Sequence, residues 1–287
     1  MNLNQKYCLI TGATSGIGLA AAEELAGYGA HLILTTRDWD RGRQAKDQIR
    51  AAHPQAKVDL LECNLSSFAS IYEAAQTYRS RYGQLHLLIN NAGIWNTEFE
   101  ETTDGIESNF AVNHLAPFLL TLWLVDLLKE QPHARIVNTS SRAHASATLR
   151  FDDLETRNRF KHYQAYGQSK MANILFTQQL KEKLKNSGVT ANSFHPGVVR
   201  TNLFKDFPFK GAIEAIGGVF MVSPEQGAET LVYLATSPDV ENLSGRYFVK
   251  KKVRRPKKEA TDPNNAEILW NKSLEYVKRY LPEPLPL

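Results

Sequence analysis

Apolar residues in this chain fall into short unbroken runs, separated by longer amphipathic stretches, and the two kinds alternate. Tyr7 to Ile10, His31 to Thr36, Val58 to Cys63, Leu85 to Ile89, Arg135 to Asn138 and Val189 to Phe194 have strand length. They lack a strict polar–apolar alternation, which predicts strands buried on both faces. Ile17 to Tyr28, Asp40 to Ala52, Ser67 to Tyr82, a stretch within Thr103 to Leu128, and Tyr163 to Lys185 carry helical patterns between them. After Gly188 the rhythm changes. Phe204 to Met221 mixes aromatics and Gly with few charges, Ser223 to Ala235 resumes as a helix, and Gly245 to Val249 reads as a last strand. Asp262 to Tyr280 is a terminal amphipathic helix, which the Pro-rich end from Pro282 cannot continue. Strand–helix alternation at this spacing implies right-handed crossovers. The fold class is therefore α/β, a single doubly wound parallel sheet of about seven strands with helices on both faces.

Composition narrows the class without changing it. Of 287 residues, 43% are hydrophobic and 22% charged, a balance that excludes a mostly disordered chain. Two cysteines cannot build a disulfide framework. Cys8 and Cys63 sit in apolar runs and read as reduced, buried thiols. The longest apolar stretch, Phe118 to Val125, falls short of a bilayer span, and the first residues run into a strand without a basic leader. Both points lead to an expected cytoplasmic location. The net charge of +4 does not by itself call for nucleic acid, and none is expected as a partner. Seven basic residues are concentrated in Lys250 to Lys258. That run has three readings: peripheral contact with anionic lipid, contact with nucleic acid, or a solvated tail. No metal-ligand spacing links the eight histidines to Cys or carboxylates, so no metal is expected. His195 precedes Pro196 and reads as a turn-shaping residue.

Candidate chemistry begins at Thr11-Gly12-Ala13-Thr14-Ser15-Gly16-Ile17-Gly18, between the first strand and the first helix. Gly12 permits a sharp turn, Gly16 a close approach of backbone to a ligand, and Gly18 tight helix–sheet packing. The helix N-terminus then offers unpaired N–H groups and partial positive charge to a pyrophosphate. This is a Rossmann-type placement. The glycine spacing, Gly-x-x-x-Gly-x-Gly, resembles that of the short-chain dehydrogenase/reductase family. Further motifs agree with it in order. Asn90-Asn91-Ala92-Gly93 looks like the family's NNAG element and Val137 to Ser141 like its serine strand. Tyr166 to Lys170 looks like its YxxxK element, and Pro196-Gly197 with Val199 and Thr201 like its nicotinamide clamp. Asn113 to Leu120 and Phe151 to Lys170 look most like the retinol-dehydrogenase-like branch.

The resemblance implies a dinucleotide-binding and catalytic domain over residues 1–249, with a substrate lid at about 202–221. It leaves 250–287 as a basic segment and C-terminal helix packed on the same domain. The cofactor residues it implies are Gly12, Thr14, Ser15, Gly16, Ile17, Gly18, Asn91, Ala92, Gly93, Tyr166, Lys170, Pro196, Gly197, Val199 and Thr201, with Asn64 and Leu65 bordering the adenine. Arg37 directly follows the second strand, and its guanidinium suits a ribose 2′-phosphate, with Arg41 near enough to assist. That favours NADP(H). Asp38 is the competing signal, since an acidic side chain there would suit a free ribose.

Reducing a carbonyl requires a proton for oxygen and a hydride for carbon. Tyr166 and Lys170 are four residues apart and share a helix face, so the ammonium, together with the positive oxidised nicotinamide, is expected to lower the phenol's pKa. Ser141 looks like the family's carbonyl-polarising serine, with Ser140 as the alternative because one residue of register flips the face. Asn113 looks like the fourth catalytic member. Pro117 has no N–H to give the carbonyl of residue 113, which is expected to stay unpaired and hold a water. Leu203, Phe204, Phe207, Phe209 and Phe220 give the lid an apolar face suited to a lipophilic aldehyde, ketone or alcohol, retinal-like by branch resemblance. The expected activity is an NADP-dependent carbonyl reductase or alcohol dehydrogenase. The alternative is an NADP(H)-binding redox sensor on the same fold. A homo-oligomer through the two long helices is compatible with both.

Overall fold

The computed structural model describes residues 3–199 and 221–287. Among these residues eight strands form one sheet: β1 (Tyr7–Ile10), β2 (His31–Thr36), β3 (Val58–Glu62), β4 (Leu87–Asn90), β5 (Arg135–Thr139), β6 (Thr190–His195), β7 (Tyr247–Val249) and β8 (Lys252–Arg254). Their order is β3-β2-β1-β4-β5-β6-β7-β8, parallel up to β7 and antiparallel for β8. The order reverses between β1 and β4. A crevice opens there at the carboxyl ends of the strands, where ligands of such sheets bind.

Helices cover both faces. On one side lie α1 (Gly16–Gly27) and α2 (Trp39–Ala52), with Leu25 and Ile49 packed on Leu32, Leu34 and Ile89. The other side holds α3 (Phe68–Tyr82), α4 (Ser108–Lys129) and α5 (His162–Lys183), whose Ile71, Leu119 and Ile174 pack on Leu9, Ile33 and Leu88. Among the described residues after β6, α6 (Pro224–Thr236) joins the α1 side and α7 (Pro263–Val277) the α5 side. Trp270 of α7 is buried edge-on against Phe118, 4.9 Å between centroids. Local chemistry sets the helix ends. Asp38 and Ser67 cap α2 and α3, and Gly83 ends α3 in the left-handed region at φ 65°. Ser223 and Gln226 form a reciprocal capping box on α6.

Three expectations are corrected. The sheet has an eighth strand, because Lys250 and Lys251 both adopt positive φ (50° and 61°) and turn the chain back into β8. The basic run is therefore not simply a solvated tail. Its Lys251 N–H donates to Thr230 Oγ1 at 3.2 Å, and its Lys257 Nζ donates to the Ala147 carbonyl at 2.8 Å. Second, α4 is long and apolar enough to cross a membrane, with a mean hydropathy of 1.6, but 89% of that window is buried within the fold. Third, Pro117 forces a π turn over Ala111–Leu115, yet the freed Asn113 carbonyl is not open to water as expected. Asn173 Nδ2 donates to it at 2.8 Å.

Candidate active site

The glycine turn is held from β4. Thr11 Oγ1 accepts the N–H groups of Asn91 and Ala92 at 3.0 and 3.1 Å. Asn91 Nδ2 donates to the carbonyls of Thr11 and Gly12 at 3.2 and 3.1 Å. Gly12 and Gly16 have φ of 66° and 56°. A Cβ on Gly18 would stand 2.2 Å from the Gly12 carbonyl oxygen, so only glycine lets α1 enter this close to the turn. Ser15, the N-cap of α1, makes no side-chain cap bond. Ser15, Gly16, Ile17 and Gly18 line the cleft, so the start of α1, left uncapped by Ser15, offers N–H donors that fit a pyrophosphate.

At the end of β2, Asp38 is committed elsewhere. Its Oδ1 accepts the N–H groups of Asp40 and Arg41 at 3.0 and 3.1 Å, and its Oδ2 lies 3.6 Å from Arg41 Nε. Arg37 lines the cleft beside it. Asn64 Oδ1 accepts the N–H and hydroxyl of Ser66, so Asn64 shapes the turn that presents Leu65.

The inner end of the cleft is built on α5. Tyr166 and Lys170 lie one turn apart, 5% and 2% exposed, with Lys170 Nζ 5.6 Å from the phenol centroid. Burial pushes the Tyr166 phenol up to about 12, offset in part by a hydrogen bond with Ser141. In the protein without nucleotide the direction is thus upward; the lowering expected from sequence needs the oxidised nicotinamide as well as the amine. Burial likewise brings Lys170 down to about 8. Among the described residues its Nζ makes one long hydrogen bond, 3.5 Å to the Thr139 carbonyl, which leaves donors for ribose hydroxyls. A Cβ on Gly93 would come within 2.8 Å of Lys170 Nζ.

The two serines separate cleanly. Ser140 Oγ is turned into α5, donating to the Lys170 carbonyl at 2.7 Å. Ser141 faces the cleft, and its Oγ accepts the Ala143 N–H at 3.2 Å. Asn113 is fully buried and does not line the cleft. Its Nδ2 donates to the Ile94 carbonyl and to Ser169 Oγ, both at 2.9 Å, and its Oδ1 accepts the Ile94 N–H at 2.8 Å. Ser169 Oγ in turn donates to the Tyr166 carbonyl at 2.8 Å. Asn113 thus ties the NNAG loop to the tyrosine's own helical turn.

Pro196, Gly197 and Val199 line the same cleft as Thr14, Ile17, Ala92 and the other expected cofactor residues. Thr201 and the lid residues up to Phe220 lie outside the described residues. His195 Nδ1 accepts the Arg142 N–H at 3.3 Å, in keeping with a turn-shaping part. Several lining residues, Ile94, Trp95, Val198 and Val222 among them, have no counterpart among those expected from sequence. Trp95 stacks on Tyr166, and only its place two residues past Gly93 hinted at it.

Residues 6–209 match the short chain dehydrogenase family. The chain is 41% identical to Retinol dehydrogenase 12 of Mus musculus over 272 residues, covering 95% of this chain and 86% of that protein. It is 38% identical to Short-chain dehydrogenase TIC 32 A, chloroplastic, of Brassica napus, covering 94% and 88%. A solved structure from Mycobacterium Paratuberculosis superposes with a TM-score of 0.81 at 30% identity, covering 100% of this chain and 97% of that one. Glycine cradle, buried Tyr–Lys pair and these relatives converge: the chain belongs to the short-chain dehydrogenase/reductase family, is retinol-dehydrogenase-like, and is an oxidoreductase that uses a nicotinamide cofactor on a small-molecule substrate.

Proposed function

We propose that the protein is an NADP(H)-dependent carbonyl reductase/alcohol dehydrogenase acting on lipophilic aldehydes, ketones or alcohols. The observation that carries this reading is the convergence of Ser141, Tyr166 and Lys170 at the inner end of a cleft whose outer end holds Arg37. The nicotinamide, when bound, supplies or takes the hydride. Every other step belongs to side chains of this chain. Tyr166 is a neutral phenol at pH 7 and donates a proton to the carbonyl oxygen. Ser141 Oγ accepts from Ala143 and its hydroxyl is hydrogen-bonded with Tyr166, so a carbonyl oxygen seated between the two hydroxyls is polarised by both. Lys170 holds the ribose, and its positive charge favours the phenolate once the proton has left.

The NADP preference draws support from Asp38. Its carboxylate is engaged at the N-terminus of α2, which leaves the guanidinium of Arg37 to meet a 2′-phosphate. Ile94, Trp95, Val198 and Val222 on the cleft wall support an apolar substrate, as do relatives named retinol dehydrogenases. Two buried free thiols, Cys8 and Cys63, are in keeping with a reducing, cytoplasmic setting. The exposed Lys252, Val253 and Arg254 of β8 suit peripheral contact with anionic lipid. The reading is tested by following NADPH oxidation with aliphatic, aromatic and polyene aldehydes. Turnover is expected with apolar members. A protein that binds NADPH and reduces none of them contradicts the reading.

A further inference from the structure

The serine at the end of β5 is held by more than its strand. After Ser141 the chain makes a short 3-10 turn, Arg142–Ala145. Two N–H groups of His144 converge on the Ser141 carbonyl, the backbone N at 3.2 Å and ring Nδ1 at 2.6 Å. A carbonyl has no hydrogen to give, so Nδ1 must carry one. The opposite ring nitrogen, Nε2, faces the backbone N–H of Lys257 at 3.3 Å. That group can only donate, so Nε2 must hold a lone pair. Two independent contacts, one from the catalytic strand and one from the C-terminal segment, demand the same neutral Nδ1–H tautomer.

The surroundings support that state. His144 is 3% exposed and lies edge-on to the Tyr247 ring, 5.1 Å between centroids. The charged or titratable groups around it are Lys257, Arg142, His195 and Tyr247. The nearby Glu259 carboxylate is paired with Lys257 Nζ at 3.0 Å. Burial accordingly holds the imidazole below its usual range. The turn has no slack on its other side. A Cβ on Gly167, next to Tyr166, would meet both the Ala143 carbonyl oxygen and the Ala147 Cβ at 2.7 Å. Lys257 is itself fixed, because its Nζ also donates to the Ala147 carbonyl at 2.8 Å.

We propose that His144 is a positioning residue for the reaction: its Nδ1–H clamps the Ser141 carbonyl, and the Lys257 N–H locks the imidazole in the tautomer that can do so. This rests on the proposed reductase activity. It assigns the end of the basic run an internal task, that of bracing the serine whose hydroxyl meets Tyr166. The His144 side chain does not line the cleft, so it acts through Ser141 alone.

Three substitutions separate this from simple packing. In His144→Asn the amide nitrogen sits the same number of bonds from Cα as Nδ1 and restores the donor. His144→Gln places its amide where Nε2 was, and His144→Phe keeps the ring without a donor. The expected order of kcat is wild type, then Asn, then Gln and Phe about tenfold or more below wild type, with KM for NADPH within about twofold throughout. A packing role gives the reverse, with Phe above Asn, and overturns the inference; so does equal kcat in all four proteins. Nitrogen-15 spectra of histidine-labelled full-length protein, assigned by the resonance lost in His144→Asn, read the tautomer directly at neutral pH. An Nδ1–H ring is expected, and an Nε2–H ring or an imidazolium overturns the inference. Wild type that binds NADPH but reduces no carbonyl contradicts the functional reading instead, and the spectrum then still decides whether the imidazole clamps Ser141.

Discussion

The indole of Trp95 lies flat on the phenol ring of Tyr166, with centroids 4.3 Å apart and planes within 2°. The stack covers one face of the proton donor and adds to the burial that raises its pKa. Trp95 is also tied to the start of α5, because its Nε1–H donates to His162 Nδ1 at 3.2 Å. The phenol is thereby fixed in direction by both its own helix and the loop after β4.

The same burial makes Lys170 a burden on the nucleotide-free fold. Its amine is brought down from 10.5 to about 8, so the unfolded chain binds the proton more tightly than the folded one between those values. The folded state is therefore penalised below about pH 8 and recovers as pH rises toward 10.5. Lys170→Met is expected to raise the apo stability at pH 7 by on the order of 3 kcal/mol while abolishing turnover. Urea unfolding at pH 7 and pH 10 measures this. The gain should shrink at the higher pH, and a loss of stability at pH 7 would contradict the account.

Discrimination between the two nicotinamide nucleotides is expected to reside in Arg37. A charge-assisted hydrogen bond contributes roughly 1.5–3 kcal/mol. Arg37→Ala should therefore weaken NADPH binding by about tenfold or more and leave NADH within about twofold. Fluorescence titration with both nucleotides reads the difference. Equal weakening would show that Arg37 does not meet the 2′-phosphate.

Gly18 is the narrowest point of the cradle. A methyl group there would overlap the Gly12 carbonyl and come within 2.5 Å of Asn91 Nδ2. Gly18→Ala is expected to cost at least about tenfold in nucleotide affinity, by pushing α1 off the turn that aims its N–H groups. Wild-type affinity in this variant would mean that the cradle is not the binding site.

Acid is expected to unfold the protein through its buried histidines. Burial holds His86 and His195 at about 4 and His114 at about 3, against 6.5 in the unfolded chain. The unfolded state binds more protons below pH 6.5, so stability is complete above that value and is lost as pH falls toward 4. His114 lies against Phe110, Phe118 and Phe176, so His114→Phe keeps the aromatic packing, gives up the 2.8 Å contact with Ser273 Oγ, and should flatten the fall. An unchanged dependence of the urea midpoint on pH between 7 and 4.5 would contradict this.

Much of the fold was legible because its strands are buried on both faces. The apolar run of β2 stops at Thr36, and the structure ends it there too. The Pro117 signal was legible in its cause, since a missing N–H must open the helix. Its outcome was not, because the acceptor is satisfied by Asn173, far along the chain on α5. β8 was hidden by chemistry that sequence rules disfavour, two adjacent lysines in the left-handed region. Tyr166, Lys170 and Ser141 could be named from spacing and family resemblance. Trp95 and His144 could not, since each is defined by a contact that only the folded chain brings together.

The central claim is that the Tyr166 hydroxyl delivers the proton to a carbonyl reduced in this cleft. The direct measurement compares NADPH oxidation by wild type and Tyr166→Phe with the same apolar aldehyde, after both are shown to bind NADPH equally. A fall in kcat of about a hundredfold or more is expected, since the substitution removes one hydroxyl and leaves the ring under Trp95. Equal rates in the two proteins would contradict it.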